Sequence, residues 1–255
     1  MKKTIAAASL LAASVASWAA APFCGYAYMS SSGGEPWGMT SNIDAMNAAF
    51  GVGNWDRIDF GASFGDCAFV YVDGGDQGAA EFRDFVTTRQ AEIETYVDAG
   101  GRLFLNAATN GLFGQSYAVG FGTSTVEGGV GYTSTGTLTA AGVALLSGHG
   151  AGTTWSGNAF AHNAISSALP VLLTGENGEA VVVAGDVGLG YVMIGGQTST
   201  GWHGGISGSN PFQLRVNELT LAAGVAAVPE PETYALLLAG LGTIVLLSRR
   251  RLAEG

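Results

Sequence analysis

The sequence predicts an α/β domain built on a parallel sheet, and three observations predict it. Residues 68–72 (AFVYV) are a continuous apolar run, the pattern of a strand buried on both faces. Over 79–99, Phe82, Phe85, Val86, Ile93, Tyr96 and Val97 recur on one face of a helical cylinder. Gly100-Gly101 ends that helix, and Arg102-Leu103-Phe104-Leu105-Asn106 comes next as another buried strand. Strand, long helix and strand make a βαβ unit, which implies parallel strands and a right-handed crossover.

Residues 24–29 (CGYAYM) read as a first strand running into the loop SSSGGEPWGMTS. Ser41 or Asn42 caps a helix through IDAMNAAF, stopped by Gly51. Residues 55–60 are a short second strand, and the turn Asp73-Gly74-Gly75-Asp76 closes the apolar third one. From 110 to 169 the pattern weakens into Gly, Ser and Thr with scattered apolar residues. A structureless insert of that length is unusual, so short extra strands are expected there. Residues 180–184 and 191–194 flank GDVGLG as a hairpin or as two late strands. Leu214, Val216, Leu219 and Leu221 suggest a closing helix, entered through Ser209-Asn210-Pro211.

Composition bounds the function. The 255 residues include 41 glycines and are 47% hydrophobic but only 12% charged, which excludes a disordered chain. The net charge of −10 lacks the basic footprint of a nucleic-acid-binding protein, so no such partner is expected. Between the two ends stand five arginines, 17 acidic residues and no lysine. Such a surface repels anionic polymers and lipids unless divalent cations bridge them.

Both ends read as processing signals. Lys2 and Lys3, an apolar stretch from Ile5 to Val15, and Ser17-Trp18-Ala19 form a signal peptide cleaved after Ala19. At the other end, the uncharged run 234–247 would span about 21 Å as a helix, short for a bilayer core of about 30 Å. Arg249, Arg250 and Arg251 come directly after it, and clustered arginines stay cytoplasmic. The expected organisation is a signal peptide (1–19), an exported α/β domain (20–226) and a C-terminal sorting segment (227–255) with a short transmembrane helix and basic tail.

Pro229-Glu230-Pro231, the apolar run and the arginine cluster together closely resemble the PEP-CTERM sorting signal of Gram-negative bacteria. That resemblance implies recognition by an exosortase, a membrane-embedded cysteine protease or transpeptidase. It also implies passage through the translocon and signal peptidase, a transient stay in the inner membrane, and delivery to the cell surface or beyond.

The domain itself resembles the class I glutamine amidotransferase-like, flavodoxin-like fold, with helices on both faces of the sheet and a Gly/Ser/Thr-rich insert. The residues bearing this are AFVYVDGGD, IETYVDAGGRLFLNAATNG, GYVMIGG and RVNELTLAAG. A β-sandwich is the alternative. The family's catalysis does not carry over. Cys67 precedes its strand, where the nucleophile would come after it, and His162 is followed by Asn-Ala without a His-x-Glu pairing.

In a doubly wound sheet, ligands gather at the carboxyl ends of the strands. That rim would hold Ser30, with Ser31 and Ser32, then Asp73, Asp76, Asn106, Asn110, Gln197, Trp202 and His203. Two close carboxylates with amide oxygens would suit a calcium ion or activate a water. Alternatively, Asp73 and Asp76 serve the turn through local hydrogen bonds. SSSGGEP matches no phosphate-binding motif, and His149, His162 and His203 show no zinc spacing, so no cofactor and no metal site are assigned. Trp37, Trp55, Trp155 and Trp202 fit core or interface positions as well as sugar stacking.

The two cysteines, Cys24 and Cys67, are expected to form a disulfide. Export brings the chain to an oxidising compartment, and in the flavodoxin-like strand order the first and third strands are parallel neighbours starting at one sheet end. The expected function is a noncatalytic cell-surface or extracellular-matrix protein sorted by an exosortase. The alternative is an exported hydrolase or carbohydrate-binding enzyme using the rim around Asp73 and Asp76; under either reading extracellular polysaccharide is a candidate partner.

Overall fold

The computed structural model of the chain describes residues 24–128, 133–198, 207–208 and 210–225. The expected signal peptide, the tripeptide Pro229-Glu230-Pro231, the run 234–247, the arginines 249–251, Trp202 and His203 lie outside the described residues. Among the described residues no helix is long and apolar enough to cross a membrane.

Five strands form a parallel block. They are β1 (Cys24–Met29), β2 (Trp55–Ile58), β3 (Cys67–Asp73), β4 (Arg102–Asn106) and β12 (Gly190–Gly195), in the order β2-β1-β3-β4-β12. β3 shows why its sequence is uniformly apolar. Val70 and Val72 pack on one side with Leu103 and Leu105, whereas Phe69 and Tyr71 pack on the other with Phe104. Side chains alternate between faces, so a strand covered on both sides has no polar position to spare.

The first side is covered by α2 (Ala79–Thr88) and α3 (Gln90–Asp98) through Phe82, Phe85, Val86, Ile93 and Val97. The second is covered by α1 (Ser41–Phe50) and α5 (Pro211–Ala223) through Ala45, Met46, Leu214 and Leu219. The single helix expected over 79–99 is two, broken at Arg89, whose φ of −107° and ψ of 18° leave the helical region. Its guanidinium donates to the carbonyls of Phe60 and Ala62 at 3.0 and 2.9 Å and pairs with Glu92 at 2.6 Å. It also lies over the rings of Phe64 and Phe85. The side chain is thus drawn onto the 60–64 loop, and the backbone bends with it.

Past β12 the sheet turns antiparallel, and here the flavodoxin-like α/β expectation is corrected. β11 (Ala180–Val187) pairs with β12 as a hairpin, then come β10 (Val171–Thr174), β7 (Thr133–Leu138), β8 (Thr154–Ala161) and β13 (Ser207–Gly208). A side branch of β5 (Ser116–Gly120), β6 (Thr123–Glu127) and β9 (Asn163–Ser166) joins β11. One 13-stranded mixed sheet results, with five α-helices among the described residues. It is neither a parallel sheet clothed by helices throughout nor a sandwich of two sheets. The Gly/Ser/Thr-rich segment has no helical period to supply covering helices. Its short turns suit antiparallel neighbours, and only the seven-residue α4 (Ala140–Leu146) forms within it. The β11–β12 turn is closed by Gly190, where any Cβ would run into the carbonyls of Gly101 and Val97.

At the amino end of the parallel block, Cys24 and Cys67 sit directly opposite each other and form a disulfide, Cα to Cα 4.2 Å. The bridge closes a separation of 43 residues. Its removal through Cys24→Ser with Cys67→Ser should cost about 3–4 kcal/mol in the chain-entropy account. Urea midpoints of the oxidised protein and the double variant check this; coincident midpoints would show that the bridge contributes nothing.

Candidate functional site

Parallel pairing sets Asp73 opposite Asn106, and Asn106 opposite Gly195, so three strands end level. Just beyond this line the sheet gives way to polar side chains. Asn106 Nδ2 donates to Asp73 Oδ1 at 2.8 Å and to the carbonyl of Gln197 at 3.0 Å. Asp73 Oδ2 accepts from the amide of Gly75 at 3.1 Å. The Tyr71 hydroxyl stands 3.1 Å from both Asp73 Oδ1 and Asn42 Oδ1, and its one proton serves either. Asn42 Nδ2 donates to the Tyr28 hydroxyl at 3.2 Å, and that hydroxyl donates to Glu35 Oε2 at 2.9 Å. Glu35 in turn pairs with Arg57 at 2.8 Å. A chain of polar contacts therefore runs from Arg57 at the surface to Gln197 beneath it, with the Tyr71 proton closing it on one side or the other.

The other rim residues are placed apart from this chain or beside it. Ser30 is buried and its Oγ accepts from Arg57 Nε at 3.1 Å. Ser31 donates to Glu81 at 3.1 Å. Asp76 Oδ2 accepts from the Trp37 amide at 3.0 Å, and both residues adopt left-handed backbone, φ 45° and 52°. Non-glycine residues hold that conformation only when their surroundings impose it. Asp73 and Asp76 are thus each committed to different donors. Among the described residues no group of three or more His, Cys, Asp or Glu side chains is placed to hold a metal ion.

Charges that sequence reasoning missed lie under this network. Arg215 and Glu218 on α5 are 2% and 0% exposed, and Arg215 Nε stands 3.5 Å from Glu218 Oε2. The guanidinium rests over the rings of Phe104 and Tyr71 at 5.1 and 5.6 Å. An Arg and a Glu three residues apart among Leu214, Val216 and Leu219 was the available signal, since both fall within the apolar stripe. Burial pushes the Glu218 carboxyl up to about 7, with Arg215 and Gln197 offsetting part of the rise. Burial likewise raises Asp73 against the pull of Asn106, Arg215, Gly75 and Tyr71. Glu35 is raised by burial and drawn back by Tyr28 and Arg57. All three effects reflect the cost of a carboxylate out of water.

A second buried network anchors the loop after β4. Glu127 accepts from the amides of Gly111 and Leu112 at 2.7 and 2.9 Å. Asn163 Oδ1 accepts from the Thr109 amide at 2.9 Å, and its Nδ2 donates to the Thr109 and Thr125 hydroxyls at 3.0 and 3.1 Å. His162 lies edge-on to Trp37, ring centroids 5.4 Å apart, with Nδ1 3.2 Å from the Thr109 carbonyl.

With this geometry in place, the comparisons with known proteins separate the ends from the middle. Residues 227–251 match the PEP-CTERM protein-sorting motif, which implies an exported, exosortase-sorted protein processed at the cell envelope. No curated protein matches the chain. Among solved structures, a β-galactosidase from Bacillus circulans sp. alkalophilus is similar at 14% identity and a TM-score of 0.47, over 78% of this chain and 31% of that one. The exo-β-1,4-mannosidase Op5Man5 from Opitutaceae bacterium strain TAV5 gives 14% identity and 0.43, over 69% of this chain and 31% of that one. A ThuA-like protein from Parabacteroides merdae ATCC 43184 gives 12% identity and 0.44, over 82% and 93%. The chain thus spans about a third of the glycosidases it resembles. The amidotransferase-like resemblance finds no support among these neighbours, and the sulfur of Cys67 is bonded to Cys24.

The buried acids make stability depend on pH in a definite direction. Glu218 has an ordinary value of 4.5 and about 7 when folded, so between those limits the folded chain holds a proton the unfolded chain has released. Stability is therefore greatest at the acid end and falls as pH rises toward 7. Asp73 and Glu35, also raised, act in the same direction. Thermal melts should show Tm rising from pH 8 to pH 5.5, and Glu218→Gln should flatten that slope. At pH 8, where Glu218 is charged, Arg215→Ala strands it and should cost about 3–5 kcal/mol. A Tm independent of pH, or rising toward pH 8, would contradict this account.

Proposed function

We propose that the chain is a noncatalytic cell-surface or extracellular-matrix protein. In this reading the segment 234–247 and the arginines 249–251 hold it in the inner membrane of a Gram-negative cell until an exosortase acts at Pro229-Glu230-Pro231. The observation that carries the noncatalytic part is the burial of Asp73 among its own hydrogen-bond donors. Both of its oxygens accept hydrogen bonds from the protein's own groups, and it is 1% exposed. A general base needs a lone pair within reach of the proton it takes. Here the rim's most buried carboxylate is shut away from solvent and turned to donors that join β3 to β4 and to the turn beyond it. An acidic, lysine-free surface suits a soluble exported body whose contact with anionic polysaccharide is bridged by divalent cations.

Two measurements test this. Replacing Pro229, Glu230 and Pro231 by alanines should leave full-length precursor in the membrane fraction; processing and release equal to wild type would refute the sorting assignment. The purified exported protein should turn over none of a panel of polysaccharides and aryl glycosides. Turnover that is abolished by Asp73→Asn, yet kept by a control variant with the same loss of Tm, would establish the hydrolase alternative instead.

A further inference from the structure

The chain reaches its sorting segment through α5, and the end of that helix is held tightly. Arg102, the first residue of β4, donates from Nε to the Ala222 carbonyl at 2.7 Å and from Nη2 to the Leu221 carbonyl at 3.1 Å. Gly224 then turns left-handed, φ 70°, and the Val225 amide donates back to the Thr220 carbonyl at 3.0 Å. Val225 itself lines a groove of about 340 Å³ between α4 and α5, together with Val143, Leu145, Asn217 and Leu221. Val143 and Leu145 are large apolar side chains left 41% and 49% exposed.

The groove is preformed, and the Asn217 amide within it is fully engaged. Asn217 Nδ2 donates to the carbonyls of Leu146 and Gly148 at 2.9 and 2.7 Å, while its Oδ1 accepts from Gln213 at 2.9 Å. Ser147, His149 and Thr220 also line it, but no carboxylate and no arginine does, in a domain otherwise dominated by acids. An uncharged apolar occupant fits such a site. The residues after Val225 are Ala226, Ala227 and Val228, with Pro229 next. Three residues reach at most about 10 Å, and the seven-residue wall of α4 is about as long.

We propose that residues 226–228 of this chain occupy the α4–α5 groove, seating the start of the sorting signal on the folded domain. Docking there buries Val143 and Leu145 and brings Pro229 to the mouth of the groove. The exosortase then meets its tripeptide at a fixed place on a folded body. This assignment is independent of whether the domain is catalytic.

The test uses full-length precursor with Pro229, Glu230 and Pro231 changed to alanine, so that it stays uncut, purified in detergent. Elastase, whose small specificity pocket suits alanine and valine, should cut 226–228 about tenfold more slowly in this protein than in the same protein carrying Leu145→Asp. The two should share one Tm, since Leu145 is exposed. Equal cutting rates would overturn the proposal. A second arm pairs Leu145→Cys with Val228→Cys and, as control, Val52→Cys with Val228→Cys. An intramolecular cross-link in the first pair alone supports docking in cis. No cross-link, equal cross-linking of both pairs, or a disulfide-linked dimer in place of the intramolecular bridge would each overturn it.

Discussion

In-register parallel pairing of β3 with β4, Asp73 opposite Asn106, sets the level at which this sheet stops being apolar. Below that level Phe69, Val70, Tyr71 and Val72 face Leu103, Phe104 and Leu105, and apart from the Tyr71 hydroxyl and the Arg215–Glu218 pair the packing there is apolar. Above it every strand delivers a polar residue, and these can only be buried if they meet one another. A slip of one residue would place Asp73 against apolar neighbours and send Asn106 to the wrong face. The disulfide pins the same block from its other end, where Cys24 faces Cys67. Both ends of the parallel block are thereby fixed by side-chain chemistry as well as by backbone pairing.

The polar chain is a demanding way to close a sheet. Tyr28, Asn42, Tyr71, Asp73 and Asn106 are all 2% exposed or less, so removing one member leaves its neighbours dry and unpaired. Such networks are strong when complete and costly when broken. The same reasoning applies to Arg215, whose charge is dispersed over two aromatic faces and shared between Glu218 and Asp73. A hydrophobic replacement of the whole cluster could be as stable, so its value lies in specificity. It makes α5 dock in one orientation only, with Arg215 over Phe104.

How much of this was legible in the sequence varies from element to element. β3 and β4 were readable because doubly buried strands are uninterrupted apolar runs bounded by glycine. The disulfide was readable because two cysteines opened neighbouring strands. The break at Arg89 was not, because its cause is a side chain reaching the carbonyls of Phe60 and Ala62, which no local pattern records. Half of the sheet was hidden for a different reason. In β5 to β8 the inward positions are often Thr, Ala or Gly, as with Thr123, Thr125 and Thr133, so the alternation of polar and apolar residues is too faint to count. The rim residues Asp73, Asn106 and Gln197 were accessible because each stands at or just past the carboxyl end of a strand, where such sheets gather polar groups. Arg215 and Glu218 escaped that rule because they come from a helix packed on a face of the sheet.

α5 unites these features, and it does so with residues spaced along a single helix. Leu214 and Leu219 enter the core, Arg215 and Glu218 meet the polar chain, Asn217 holds the loop after α4, and the last carbonyls accept from Arg102. Each contact is made with a different part of the chain: the strand ends, the antiparallel insert and the start of β4. No subset of these elements can form the full seat, so α5 is fully placed only when the parallel block and the insert have both folded. The residue after its cap is Val225, and the sorting motif begins at residue 227. The position from which the sorting segment departs is therefore a property of the completed domain, set by a helix that an incomplete sheet could not hold.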